Sequence, residues 1–448
     1  MMRTTAKFAL VFGFTFALFA ANLRAQTSGA WPPATPAVSA PQAAAPLRLE
    51  DLEQIALAHG PALAEAEARI RAAQGRKLQA GLYPNPIVGY TGDEISSGPV
   101  IRGGEHGFFV EQEIITAGKL GKSRSVFAQE EARAAAEAVA GKLGVLTNVR
   151  MLYYAALAAE RRVELRGKLA EITREASDVS KQLANVGQAD EPDVLEAEVE
   201  AERAELAREA AENDRQRVWQ QLAAAVGVPS LPLSPLVGSL DDAPPQIEFD
   251  ATLAQVLRES PEVKASESDI VRSEQAVKQA RAVRIPNLLV RGGLRENREL
   301  LEAHGKPVGI EGFVDVGVRI PLFDRNQGSI QAAQAEAERA LSGVERAKLA
   351  LRVRLARAWR DYQNAKAIAQ KYRTEILPRA QRAYDLYLEK FKAMEAAYPQ
   401  VLIAQRNVAQ LEVEYVSAEE CLWQTVAEIR GLLPGGGVAP RPSTSAME

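Results

Sequence analysis

Phe313-Val314-Asp315-Val316-Gly317-Val318-Arg319-Ile320 alternates strictly from Val314 onward, with Val314, Val316, Val318 and Ile320 on one face and Asp315, Gly317 and Arg319 on the other. A strand with an apolar outer face and a polar inner face gives this pattern in a membrane barrel. A soluble antiparallel sheet with one buried face gives it too. Three weaker segments accompany it: Ile87 to about Ile95, Gly107 to Ile115 including Phe108 and Phe109, and Asn287 to about Glu296. Each allows the roughly 9 to 11 residues of a tilted transmembrane strand.

Outward from these strands the chain runs through one pattern twice. The first copy opens at Leu52, Ile55, Ala56 and His59-Gly60-Pro61, passes through a helix to Tyr83-Pro84-Asn85-Pro86, and breaks into Gly-rich, strand-like sequence. The second opens at Leu253, Val256, Leu257 and Glu259-Ser260-Pro261, passes through a helix to Ile285-Pro286-Asn287, and breaks likewise. Each break ends in a turn, Thr116 to Gly121 in one half and Phe323 to Gly328 in the other, and each turn launches a very long helix. Repetition of this kind governs the whole fold. A Pro- and Asp-rich segment near Pro235 to Pro245 joins the halves.

From about Ser123 to Val186 no proline occurs and Ala, Glu, Leu and Arg dominate, a composition of strong helix formers. Some 60 residues at about 1.5 Å each span on the order of 90 Å. Leu165, Leu169, Ile172, Ala176, Val179, Leu183 and Val186 alternate spacings of four and three, the apolar seam of a coiled coil. A break at Gly187 to Pro192 allows a return helix from Asp193 to about Val226, seamed by Leu195, Val199 and Leu206 and expected to pack antiparallel on the first. The second half predicts one helix from about Ser329 to Ala393, seamed late by Ala380, Tyr384, Tyr387, Phe391 and Met394. Its return, from about Pro399 to Leu433, is seamed by Val408, Leu411, Tyr415, Leu422, Val426 and Ile429. By themselves these helices fit a coiled-coil rod equally well.

The strand count separates the two. Four strands cannot close a cylinder, and an open edge in lipid leaves backbone groups unpaired at several kcal/mol each. Two chains pooling strands would give eight, a barrel filled by side chains, and three would give twelve, with room for a lumen.

The first 25 residues carry Arg3 and Lys7, an apolar run from Phe8 to Ala21, and small residues to Ala25, the layout of a cleaved secretory signal. Its 14 apolar-run residues fall short of the roughly 20 of a spanning helix. Removing Arg3, Lys7 and Arg24 takes the 54 basic residues to 51 against 58 acidic ones, a mature charge near −7 with both signs interspersed. Nucleic acid is not the expected partner of such a surface. Cys421 is the single cysteine, so no internal disulfide forms, and it is expected to be a buried thiol. No ligand spacing of Cys and His predicts a metal site or other cofactor. No Gly-x-Ser-x-Gly, phosphate-cradling glycine loop or His pair points to an enzyme.

The leader, the duplicated halves, the two strands ahead of each long helix and the Pro-Asn element ahead of each strand pair together resemble the TolC family of outer-membrane efflux proteins, over nearly the whole mature chain. Leu82-Tyr83-Pro84-Asn85-Pro86 and Gln112-Glu113-Ile114-Ile115-Thr116-Ala117-Gly118-Lys119 are most similar to its CzcC-like heavy-metal efflux branch. The resemblance implies a mainly α chain with a small β part. Two repeats of long antiparallel coiled-coil hairpins and four transmembrane strands per chain would build a homotrimeric α/β-barrel, with twelve strands continued by a periplasmic tunnel of twelve helices.

It further implies a passive exit duct for substrates, heavy-metal cations among them, in the outer-membrane lipid. An inner-membrane pump of the RND type and a periplasmic adaptor would supply it. A non-conducting periplasmic adaptor or structural rod is the alternative.

On this reading residues 1–25 are the signal, 26–46 a flexible Ala/Pro-rich lead-in, 47–240 and 241–434 the two repeats, and 435–448 a disordered tail. The adaptor would meet the hairpin tips, here Val186, Gly187 and Gln188 in the first half and Met394 and Glu395 in the second. Gly187 suits a close backbone approach or merely ends a helix, and Met394 replaces the family's usual glycine. The family's acidic phrase after the second tip is here Pro399-Gln400-Val401-Leu402-Ile403, with Gln400 and Ile403 uncharged. Glu191, Asp193 and Glu196 after the first tip offer a carboxylate ring at the tunnel entrance instead, or serve only as acids at a helix start.

Overall fold

The computed structural model describes residues 46–95, 104–187, 190–300, 305–393, 395 and 398–434. The stretches read as signal and tail, all but residue 46 of the one read as lead-in, and Gln188 and Met394 therefore lie outside the described residues.

The element order repeats. Helices α1 (Leu49–His59) and α2 (Pro61–Gln79), strands β1 (Ile87–Asp93) and β2 (Glu105–Ile114), and helices α3 (Lys119–Asn185) and α4 (Glu191–Ala225) make the first series. Helices α5 (Phe249–Glu259) and α6 (Pro261–Val283), strands β3 (Leu288–Leu300) and β4 (Pro307–Val318), and helices α7 (Gln327–Lys371), α8 (Leu377–Lys392) and α9 (Tyr398–Gly431) make the second. Pro61 and Pro261 each occupy a first helical turn, where the missing N–H is no loss. With 67 residues, α3 is about 100 Å long.

The two halves meet in one antiparallel sheet of order β1-β2-β3-β4. Strand β2 pairs with β3 from Ile114↔Leu288 to Glu105↔Asn297, so the central ladder joins the repeats. Among the described residues, the outer edges of β1 and β4 are unpaired. The fourth strand lies earlier than its alternation suggests, beginning at Pro307 and ending at Val318. Ile320 stands outside it because Pro321 follows, and a residue without an N–H cannot extend a ladder.

The second long helix is not continuous. Between α7 and α8 the residues Tyr372–Ile376 form a π-turn, in which the Leu377 N–H donates to the Tyr372 carbonyl. Pro378 causes it: the ring offers no donor and would collide with the carbonyl four residues back, so the helix takes up one extra residue.

The core sits around the middle of the helices, where Val149, Tyr153, Leu222, Leu355, Tyr362, Val426 and Ile429 are all buried. The inter-repeat segment is strapped across it by four aromatic donors. Trp219 Nε1 donates to the Leu231 carbonyl at 3.0 Å and Tyr153 to that of Val237 at 2.6 Å, while Trp423 Nε1 reaches Leu240 at 2.8 Å and Tyr362 reaches Pro245 at 2.8 Å.

Toward the hairpin ends the seams divide. Leu165, Leu169 and Ala176 are buried, but Val179 and Val186 are exposed. On α4 the expectation fails: Leu195, Val199 and Leu206 are 53%, 50% and 64% exposed. Ala204 is the α4 residue that packs on Leu169 and Ala170, and the other three lie roughly 140 to 200° round the helix from it. Their stripe is aimed away from the chain. In α8 no residue is buried; Ala380 and Tyr384 are half-buried, and Tyr387 and Phe391 are exposed. On α9, Leu422, Val426 and Ile429 are buried, whereas Val408, Leu411 and Tyr415 are only half-buried. Cys421 is exposed, contrary to expectation, on the side of α9 away from Leu422 and Trp423.

Candidate functional site: the sheet and the hairpin ends

Cross-strand partners share a face, so the register sorts the sheet into two surfaces. One carries Val88, Tyr90, Phe108, Val110, Leu294 and Ile310, together with Val314, Val316 and Val318, which are 74%, 64% and 51% exposed. A contiguous apolar surface of this extent needs an apolar medium or a partner to cover it. The Tyr90 hydroxyl and His106 Nδ1 hydrogen-bond at 2.5 Å near one end of this face, the kind of amphipathic ring placement found at a lipid–water boundary. The opposite face holds Asp93, Glu105, Glu111, Arg291, Arg295, Glu311 and Asp315. Asp315 was legible from its own strand; its charged neighbours on β2 and β3 emerge only from register.

At the sheet's other end Asn287 binds the halves together. Its Oδ1 accepts from Lys119 Nζ at 2.5 Å and from the Thr116 N–H at 3.3 Å, and its Nδ2 donates to Glu113 at 2.8 Å. Partial burial lowers the Lys119 pKa, and Glu113 opposes that shift. Gly118 has φ +64° and Ala117 φ +55°, the left-handed turn that swings the chain from β2 into α3. The Pro-Asn and Thr-Ala-Gly-Lys phrases thus meet in one junction.

At the far end of the first hairpin, Gly187 adopts φ +73° directly after Val186, the last cap of α3, and its N–H donates to the Ala184 carbonyl at 3.0 Å. This is a helix-ending conformation. A Cβ added there would meet nothing within 4 Å, and Val186 is exposed, so the tip is also open to a partner. Glu395 is the second-tip residue that is described, its N–H held by the Lys390 carbonyl at 2.8 Å.

The entrance candidates do not form one cluster. Glu191 and Asp193 lie in the first turn of α4, about 200° apart around it, whereas Asp193 and Glu196 are one turn apart on one side. All three are exposed. Gln400 is on α9 and lines a cleft of about 660 Å³ between the hairpins with Arg166, Glu200, Tyr387, Arg406 and Gln410. Among the described residues no group of three or more His, Cys, Asp or Glu is arranged to hold a metal ion, and no helix is long and apolar enough to cross a membrane.

A deeper carboxyl stands apart from these. Glu419 on α9 is buried beside Tyr415 and Asp241, and burial pushes its pKa up to about 7. The Tyr415 hydroxyl donates to Asp241 Oδ1 at 3.2 Å, and Arg373 in the π-turn donates to the Asp241 carbonyl at 3.2 Å.

The family model described as outer membrane efflux protein matches residues 52–228 and 252–435. Cobalt-zinc-cadmium resistance protein CzcC of Cupriavidus metallidurans is 27% identical over 394 residues, covering 88% of this chain and 91% of that protein. Protein CyaE of Bordetella pertussis is 32% identical over 379 residues, 77% of each chain. Among solved structures, the outer membrane protein VceC of Vibrio cholerae aligns with a TM-score of 0.69 at 19% identity, over 86% of this chain and 95% of that one. The open state of the Neisseria gonorrhoeae MtrE outer membrane channel aligns with a TM-score of 0.67 at 19% identity, over 87% and 89%.

Proposed function

Since the chain belongs to the outer membrane efflux protein family, we propose that it works as a homotrimer in which three four-stranded sheets close one barrel around a continuous lumen. The protein is an outer-membrane efflux channel, a passive conduit and not an enzyme, with its helices forming a periplasmic tunnel. The single observation that carries the trimer is a sheet with an apolar outer face whose two edge strands, β1 and β4, have outer edges that no described residue pairs. Twelve pooled strands seal those edges and leave a bore, which eight would not. The outward stripe of Leu195, Val199 and Leu206 supports helix contacts between chains. A non-conducting rod leaves the apolar sheet face unexplained.

The same reading gives the two repeats the boundaries 47–240 and 241–434. It makes the chain the outer component of a tripartite assembly, met at Val186–Gln188 and at Met394–Glu395 by a periplasmic adaptor that a pump of the RND type feeds. Asp193 and Glu196, with Glu191 behind them, would line the entrance beside Gln400. Heavy-metal cations are the proposed cargo, on the strength of the likeness to the cobalt-zinc-cadmium resistance protein along nearly its full length.

Native mass spectrometry of detergent-extracted protein and tolerance of a host lacking the gene test this reading. Three chains per particle, and loss of tolerance to cobalt, zinc or cadmium restored by the gene, are expected. A detergent-free monomer would remove the barrel, and unaltered metal tolerance would remove the cargo.

A further inference from the structure

The lumen-facing side of the sheet holds a charge arrangement that strand pairing alone does not produce. Arg295 answers its carboxylates, at 2.5 Å from Glu105 and 3.3 Å from Glu311. Arg291 does not. Its Cα partners on either side are Glu111 on β2 and Asp315 on β4, the positions at which opposite charges on a shared face ordinarily pair. Instead its guanidinium carbon lies 3.9 Å from the centre of the Phe109 ring and 5.8 Å from that of Phe313. Its Nε is buried there without an acceptor.

Two glycines make this possible. A Cβ at Gly89 would fall 2.5 Å from the Phe109 ring, and one at Gly293 would fall 2.9 Å from the Phe313 ring. Both rings therefore lie close against the wall, and Phe109 forms a shelf on which a guanidinium stacks through the ring quadrupole. Glu111 and Asp315 are left facing the lumen with no hydrogen bond or ion pair to any described residue.

We propose that Phe109 is a positioning residue for ion selectivity: by holding Arg291 off Glu111 and Asp315, it leaves a layer of free carboxylates that favours cations in the barrel. The inference rests on the channel reading, since it requires this face to line a conducting pore. A carboxylate neutralised by a bonded guanidinium attracts passing cations far less than a free one, and rings of free carboxylates are how pores favour cations.

The test is the zero-current potential of the full-length protein in planar bilayers under a potassium chloride gradient. Phe109→Leu keeps apolar bulk but removes the shelf. It is expected to lower the potassium-to-chloride permeability ratio at least about twofold, in channels that still assemble and conduct. Phe109→Tyr retains the ring and should keep the original ratio, and Arg291→Gln should raise it. In the Phe109→Leu/Arg291→Gln pair the ratio should equal that of Arg291→Gln alone. An unchanged ratio in Phe109→Leu, or in Arg291→Gln, overturns the proposal while leaving the channel standing. Absence of any conductance from correctly assembled protein overturns the channel reading and this inference with it.

Discussion

Arg150 on α3 donates its Nε to Glu53 of α1 at 2.6 Å, and both side chains are buried. An isolated charge at that depth is far costlier than a pair. Arg150→Met should therefore destabilise the protein by about 3–5 kcal/mol by stranding the carboxylate. Adding Glu53→Gln should recover much of that loss. Thermal unfolding in detergent of the single and double variants measures it, and equal losses in both would show that Glu53 is not what the guanidinium serves.

Val316 stands on the outward column of β4, two residues before the strand ends at Val318, and is 64% exposed in the protomer. Val316→Arg places a charge toward lipid and should cost more than the ~1 kcal/mol of an interfacial site but less than the ~2–4 kcal/mol of the midplane. The readout is the amount of assembled protein in outer-membrane fractions. Undiminished assembly would mean that this column faces something other than lipid.

Gly187 separates turn geometry from contact. Asparagine tolerates positive φ, so Gly187→Asn should preserve the tip while placing a side chain where nothing lies within 4 Å. Assembly should be normal, with adaptor capture and export both reduced. Wild-type export by Gly187→Asn would confine the glycine to ending its helix.

Glu419 predicts a pH dependence with a definite sign. Its pKa rises from the usual value of 4.5 to about 7 in the fold, so between those values the folded state holds more protons than the unfolded one, and stability falls as pH climbs through the window. The penalty is complete above about pH 7 and absent below about 4.5. Glu419→Gln should raise the unfolding temperature at pH 8, by the equivalent of about 1–3 kcal/mol, and change it little at pH 4.5. Equal shifts at both pH values would assign the effect to packing.

Much of this architecture is written plainly in the chain. The duplication, the long helices and the four strands follow from Pro61 and Pro261, from the proline-free run after Ser123 and from the alternation around Val316. Periodicity, however, identifies a face and not its neighbour: Leu195, Val199 and Leu206 form a real stripe, but it stays exposed in the protomer and does not pack on α3. The stretch read as one helix from about Ser329 to Ala393 is broken by the π-turn, because Pro378 inside it lacks a donor and periodicity passes over a single proline. The Arg291 stack on Phe109 could not be foreseen, because it depends on which residues β2, β3 and β4 bring abreast.

The π-turn at Tyr372–Ile376 makes the two staves of each subunit unequal, one running unbroken and the other slipping its angular phase partway down. A ring of three such subunits would repeat every third of a revolution and never every sixth. Any collar gripping its lower rim from six directions would find two alternating kinds of furrow, and would have to carry two kinds of ridge, or one ridge able to settle into either.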